Sequence, residues 1–182
     1  RFVRPGSAGE CADLLALASE EGWPLLVLGN GSNLLTGDGA LGMLVVHTGR
    51  LDGVARTGER TIRAGAGISL ARLSAFAQRE GLGGLEFAHG IPGSLGGGVY
   101  MNAGAYGGEM KQVLSAVTAW FPRGGVRRMP VQDLDLRYRH SVFSEQQGAV
   151  LEAEFLLEPR DPSEIQAQMF EFDRRRREKQ PL

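Results

Sequence analysis

The chain has 182 residues, 42% of them hydrophobic and 23% charged, with a formal net charge of -1. That length and apolar content supply the core of one domain or two small lobes and exclude a disordered polymer. The near-neutral balance gives no global attraction to nucleic acid or an anionic membrane, and the single cysteine excludes an internal disulfide or a multi-cysteine metal site.

In chain order, Ser7 and Glu10 have the spacing of a capping box, and apolar residues then recur every three or four positions until Gly22, which predicts a helix of about three turns. Cys11 lies on its apolar stripe with Leu14, Leu15 and Ala18, the place of a small core side chain rather than of a catalytic thiol. Pro24 to Leu28 and Gly42 to His47 read as short buried strands. Gly53 to Arg56 and Arg60 to Ala64 read as a hairpin around Thr57-Gly58-Glu59. Ser69 caps a second helix, with Leu70, Leu73, Phe76 and Ala77 on one stripe and Gly81 at its end.

From Gly81 to Gly108 the chain is rich in glycine, but interleaved Leu85, Phe87, Ile91, Leu95, Val99 and Met101 need burial, so it is a shaped loop region and no linker. Val113 to Phe121 and Gly125 to Met129 predict hairpin strands, and Ala149 to Leu157 alternates apolar and acidic residues as a strand does. Asp161, Pro162 and Glu164 open a last helix that buries Ile165, Met169 and Phe172. Its run Arg174 to Arg177 with Lys179 is expected to be a solvated face. Hairpins among alternating helices and strands predict an α+β fold with mixed sheets. The expected lobes are residues 1–52 and 53–159, with 160–182 as a C-terminal helix leading onward.

Two loops carry chemistry. Leu28-Gly29-Asn30-Gly31-Ser32-Asn33-Leu34 follows a strand directly, and its glycines and small donors suit either a pyrophosphate nest or an ordinary turn. It is neither a Walker loop, lacking Gly-Lys-Ser/Thr, nor a Rossmann fingerprint, lacking the third glycine. In Gly90-Ile91-Pro92-Gly93-Ser94-Leu95-Gly96-Gly97-Gly98, a turn is followed by residues that open a helix, whose N-terminus would offer free N–H groups to phosphate; close backbone packing is the plainer account of the same glycines. His47, His89 and His140 are scattered without ligand spacing, so no metal site is expected. Glu86 reads as a buried, hydrogen-bonded structural carboxylate in preference to a general base.

LGNGSNLL, GLGGLEFAHGIPGSLGGGVYMNAGAYGGE, YRHSVF (Tyr138 to Phe143) and REKQPL (Arg177 to Leu182), in this order and spacing, resemble successive blocks of the UDP-N-acetylenolpyruvoylglucosamine reductase (MurB) family, across nearly the whole chain. The resemblance implies the FAD-binding fold of the vanillyl-alcohol oxidase and MurB type, two α+β lobes clasping an extended cofactor. It implies that Leu28, Gly29, Asn30, Gly31, Ser32, Asn33 and Leu34 wrap the diphosphate and ribityl part of FAD. Gly90, Ile91, Pro92, Gly93, Ser94, Gly96 and Gly97 then line its other side, and Asn102, Ala103 and Gly104 lie near the flavin.

The reaction so implied is reduction by NADPH of UDP-N-acetylglucosamine enolpyruvate in peptidoglycan precursor synthesis, in the cytosol. Arg139 would hold the substrate carboxylate and the charge that develops beside it, with Tyr138 orienting substrate or Arg139. The family's Thr and Gly-Gly segment ahead of the first helix, its proton-donor Ser and its assisting Glu have no match between Arg1 and Leu182, so the chain reads as cut at both ends and inactive alone. Neither a membrane span nor an obligate protein partner is expected. Another FAD oxidase of this fold, marked by a His or Cys at the flavin, and a non-catalytic nucleotide-binding module are the alternatives.

Overall fold

The computed structural model describes residues 1–40 and 42–179. Three short apolar segments, Phe2–Val3 (β1), Leu25–Leu28 (β2) and Leu44–His47 (β3), form a parallel sheet in the order β1-β3-β2, with helix α1 (Ala8–Glu20) between the first two in sequence. The N-terminal capping of α1 differs from the expected box. Ser7 Oγ accepts from Glu10 N–H at 3.1 Å as predicted, but Glu10 Oε2 accepts from Gly6 N–H at 2.7 Å, so the returning carboxylate caps one residue earlier. Strand β2 is only half-buried along its length, because it is an edge strand whose outer side borders a cavity.

The second sheet has five strands. Val54–Arg56 (β4) and Thr61–Gly65 (β5) form the predicted hairpin, and after α2 (Leu70–Arg79) the chain runs through the pair-forming β6 (Leu82–Gly83), the helix α3 (Leu95–Tyr100), and a small hairpin of β7 (Gly104–Ala105) and β8 (Gly108–Glu109). Leu114–Phe121 (β9) and Gly125–Pro130 (β10) follow, then α4 (Val142–Gln146), β11 (Ala149–Leu156), β12 (Glu158–Pro159) and α5 (Pro162–Lys179). The order is β10-β9-β11-β5-β4, antiparallel throughout. The α+β mixture therefore lies between the sheets, one wholly parallel and one wholly antiparallel, and not within either.

Two cores result. The larger gathers Ile62, Leu73, Leu95, Val117, Phe121, Phe143 and Phe155 between the antiparallel sheet and helices α2 and α3. The smaller packs Cys11, Leu15 and Val46 of the first lobe against Trp120, Ala149 and Leu151 of β9 and β11. Each full burial of a Leu, Ile, Val or Phe side chain is worth about 1.5–3 kcal/mol, so both clusters hold the elements firmly.

Helix α5 is capped as predicted: Asp161 Oδ1 accepts from Ser163 N–H at 2.7 Å, and Ile165 and Met169 are buried. Phe172 stacks on Tyr106, ring centroids 4.6 Å apart and 9° from parallel. The arginine run is not uniformly solvated. Arg174 and Arg175 reach Glu171 at 2.9 and 2.7 Å, but Arg176 turns inward and its Nε is buried beside Gly90. Of the REKQPL block, Gln180, Pro181 and Leu182 lie outside the described residues. No helix among the described residues is long and apolar enough to cross a membrane.

Candidate functional site

The loop after β2 and the loop before α3 lie against one another. Ser32 Oγ donates to Pro92 O at 2.9 Å, and a methyl carbon on Gly29 would stand 2.0 Å from Ser94 Oγ, an approach that only a glycine permits. Gly31, with φ +71°, and Gly93, with φ +149°, supply the left-handed backbone that turns each loop. Among the described residues, the backbone N–H groups of Asn30, Gly31, Ser32 and Asn33 find no intramolecular acceptor. A row of such donors on an exposed turn is the chemistry of an anion nest.

The short helix α3 departs from the sequence reading. Leu95 N–H donates to Ile68 O and Gly96 N–H to Ala66 O, both at 2.8 Å, so two of its leading amides are spent within the protein and unavailable to phosphate. Its glycines also divide in purpose. A Cβ on Gly96 would meet Ala66 Cβ at 3.0 Å and one on Gly98 would meet Leu70 Cδ1 at 3.2 Å, so these two serve close packing. At Gly97 the nearest atom would be Ser94 Oγ at 3.9 Å, and this position opens to the cavity.

Both loops border one cavity of about 1380 Å³. Drug-sized ligand sites are typically ~300–1,000 Å³, so this one has room for an extended ligand. All but one of the residues that the family resemblance assigned to cofactor or substrate border it: the stretch from Leu28 to Leu34, that from Ile91 to Ser94, Gly96 and Gly97, Asn102 to Gly104, Tyr138 and Arg139. Gly90 is the exception. It faces α5, where a Cβ would stand 3.0 Å from Arg176 Nε and 3.1 Å from Asp173 Oδ1.

Tyr138 and Arg139 line the cavity, both exposed, with Arg139 Nε donating to Tyr138 Oη at 3.4 Å. Among the described residues lining it, Arg139 is the one cation and Glu109 the one carboxylate. Glu109 is already engaged by Asn102 Nδ2 and Lys111 Nζ, both at 2.9 Å. Trp23, Trp120, Gln147, Gly148, Ala149 and Val150 also line the cavity, and the sequence reading did not single them out. They come from segments distant in sequence: Trp120 pairs with Ala149 across β9 and β11, and Gln147 turns the chain with φ +53°.

Asn102 borders the cavity, yet its side chain is spent inside the protein. Its Nδ2 donates to Glu109 Oε2 (2.9 Å) and Arg137 O (3.4 Å), and its Oδ1 accepts from Lys111 N–H (3.0 Å). Glu86 is buried, accepting from Gly84 N–H at 2.8 Å and pairing with Arg160 at 3.2 Å, which is the structural role expected of it. Cys11 is sealed in the smaller core, and burial, with Glu10 adding to it, pushes its thiol up to about 11. His89 Nε2 lies 3.4 Å from Asp173 Oδ2 on α5. Neither residue lines the cavity, so neither is placed to bond covalently to a ligand there.

The histidine spacing gave no hint of a cluster, but the fold brings the ligand atoms of Asp135, His140 and Glu145 within 4.8 Å of one another. Arg137 Nη2 stands among them, 2.6 Å from Asp135 Oδ2 and 2.8 Å from His140 Nε2. A protein guanidinium thus already supplies the positive charge, and with His140 it holds the Asp135 carboxyl below the usual carboxylate range.

A family model described as an FAD binding domain matches residues 1–130. The UDP-N-acetylenolpyruvoylglucosamine reductase of Limosilactobacillus reuteri is 42% identical over 98% of this chain and 59% of its own length, and that of Listeria welshimeri is 43% identical over 100% and 61%. The chain therefore spans about three fifths of the curated relatives it matches. The crystal structure of the Thermus caldophilus reductase (MurB) superposes with a TM-score of 0.82 at 34% identity, covering 100% of this chain and 64% of that one. An alkyldihydroxyacetonephosphate synthase superposes at 0.65 with 18% identity over 87% of this chain and 34% of its own, a likeness of fold alone. Free loop amides on a long cavity, a matching domain model and relatives of one name along the whole chain lead to the same place: the chain belongs to the FAD binding domain family, among the homologues of UDP-N-acetylenolpyruvoylglucosamine reductase.

Proposed function

We propose that this chain is the FAD-binding part of an NADPH-dependent reductase that converts UDP-N-acetylglucosamine enolpyruvate to UDP-N-acetylmuramate, in the cytosol, for peptidoglycan precursors. Residues 1–52 and 53–159 are its two cofactor-clasping lobes, and 160–182 lead to the part that completes the substrate site. The observation that carries this reading is that both glycine loops and the Tyr138-Arg139 tip open on the same cavity. The residues fit the cofactor: unengaged amides from Asn30 to Asn33 suit a diphosphate, Gly97 leaves the wall bare, and apolar lining residues such as Trp120, Ala149 and Val150 suit a flat ring.

When bound, FAD supplies hydride transfer from the reduced nicotinamide to the enolpyruvyl double bond. Arg139 binds the substrate carboxylate through its planar guanidinium, which can make two parallel hydrogen bonds to it. As negative charge spreads from the α-carbon into that carboxylate, the fixed cation pairs with it more strongly than with the ground state, which lowers the barrier. Tyr138 limits the directions that the guanidinium can take, through its hydroxyl 3.4 Å from Arg139 Nε. Asn102 contributes through position, since its amide is already committed to Glu109, Arg137 and Lys111.

The test is a titration of the full-length protein with FAD followed by flavin absorbance, and then NADPH oxidation dependent on the enolpyruvyl UDP-sugar. Saturable FAD binding lost on Gly31→Val, with turnover lost on Arg139→Ala, is the expected result. FAD binding that ignores the loop substitution would overturn the reading.

A further inference from the structure

Arg139 is held out from the body of the protein on a small support. Arg137 and His140 form an isolated antiparallel bridge, with N–H to O distances of 3.2 and 3.1 Å, leaving Tyr138 and Arg139 as a two-residue tip. Arg139 has φ +52°, a left-handed conformation unfavourable for a non-glycine residue. Tyr138 is 86% exposed, so the tip has almost no packing of its own.

The base of the tip is fastened instead, one bond on each arm, to a single short segment at the C-terminal end of α3. On the first arm Asn102 Nδ2 donates to Arg137 O at 3.4 Å; on the second, Ser141 Oγ donates to Tyr100 O at 2.6 Å. Ser141 is 0% exposed and Asn102 4% exposed. Water cannot replace a lost partner at such depth, so an orphaned group there is costly. The outer contact, Arg137 to Asp135, is exposed on both sides and holds the hairpin weakly by comparison. The opposite end of α3 starts at Ser94, in the loop that touches Gly29. Helix α3 thus connects the glycine loops to the Arg139 tip as one short rigid piece.

We infer that Ser141 and Asn102 are positioning residues that set the distance and direction of the Arg139 guanidinium relative to the cofactor loops. The inference rests on the proposed role of Arg139. A small tilt at the base of a two-residue tip becomes a larger displacement at the end of an arginine side chain, and a misplacement of about 1 Å costs on the order of 100-fold in catalysis.

The experiment uses the FAD-loaded full-length protein. Ser141→Ala should lower kcat/KM for the enolpyruvyl UDP-sugar about 10-fold while FAD affinity stays within about twofold, since Ser141 lies outside the cavity wall. A purely structural role predicts the same loss on any background, so a double-mutant cycle with Arg139→Ala decides. It is read as affinity for the carboxylate-bearing UDP-sugar product, through the perturbation of flavin absorbance. Ser141→Ala should be silent once Arg139 is gone; additive losses would overturn the inference. Should Ser141→Ala not fold, Ser141→Cys, which fills the same space but is a weak donor to Tyr100 O, enters the same cycle with the same two outcomes. A wild-type protein without turnover would defeat the reductase reading and this inference with it. An active wild type with an additive cycle defeats this inference alone.

Discussion

Gly97→Ala separates a glycine kept for a ligand from a glycine kept for the fold. The added methyl would meet nothing in the protein nearer than Ser94 Oγ at 3.9 Å, an ordinary contact, and Gly97 has no positive φ to strain. Inside a helix, alanine is favoured over glycine by about 0.5–1 kcal/mol, so the apoprotein should become slightly more stable. For a domain of this size that is roughly 1–4 °C in Tm. The same methyl projects into the cavity, where it should weaken FAD binding at least about 10-fold, or some 1.4 kcal/mol. Gly96→Ala is the opposing control: its Cβ would press on Ala66 at 3.0 Å, and the overpacking should destabilise the apoprotein by about 1–3 kcal/mol. Differential scanning fluorimetry of both apoproteins, with FAD titrations by flavin fluorescence quenching, reads the two effects separately. A Gly97→Ala protein that binds FAD as tightly as wild type would refute the assignment of that wall to the cofactor.

Other outcomes follow from other parts of the molecule. Glu86→Ala should lower stability by about 1–3 kcal/mol, because the half-buried Gly84 N–H loses its acceptor and Arg160 its partner, with FAD affinity little changed; chemical denaturation and an FAD titration check the two. Arg139→Gly should raise the apoprotein's stability by about 1 kcal/mol, by relieving the left-handed backbone, and abolish turnover, so thermal melts and steady-state kinetics should move in opposite directions. Arg174 and Arg175 hold the Glu171 carboxyl at about 2, below its ordinary 4.5. A depressed carboxyl stabilises above its unfolded value and loses that contribution as pH falls, so the C-terminal turns of α5 should fray between about 4.5 and about 2 in circular dichroism. Cys11, with its thiol raised to about 11 and sealed from solvent, should resist alkylation at neutral pH at any rate faster than unfolding.

Much of this architecture was legible in the sequence because its signals are local. Ser7, Ser69 and Asp161 cap the helices they were expected to cap, and the period-two pattern of Ala149 to Leu157 lies in β11. What escaped is long-range. Phe2–Val3 has no periodicity to detect and becomes a strand only by pairing with β3, and α4 is five residues long. The glycine triplet looked uniform, yet Ala66, Leu70 and Met110 decide that Gly96 and Gly98 are packed while Gly97 is open, and none of those partners is adjacent in sequence. Trp120 and Gln147 gave no motif at all; their place on the cavity wall comes from sheet register and a left-handed turn. Asn102 was expected near the flavin from the family resemblance, and it borders the cavity; that its amide is committed to Glu109, Arg137 and Lys111 is visible only in three dimensions.

The smaller core has a consequence for how the chain comes into being. Cys11, Leu15 and Val46 are covered by Trp120, Ala149 and Leu151, so the parallel sheet near the N-terminus lacks its floor until β9 and β11 have been synthesised. During translation the first lobe must wait, half-assembled, for residues far downstream, and a truncation that stopped at Asp52 would leave a greasy, unroofed fragment suited to chaperones more than to ligands.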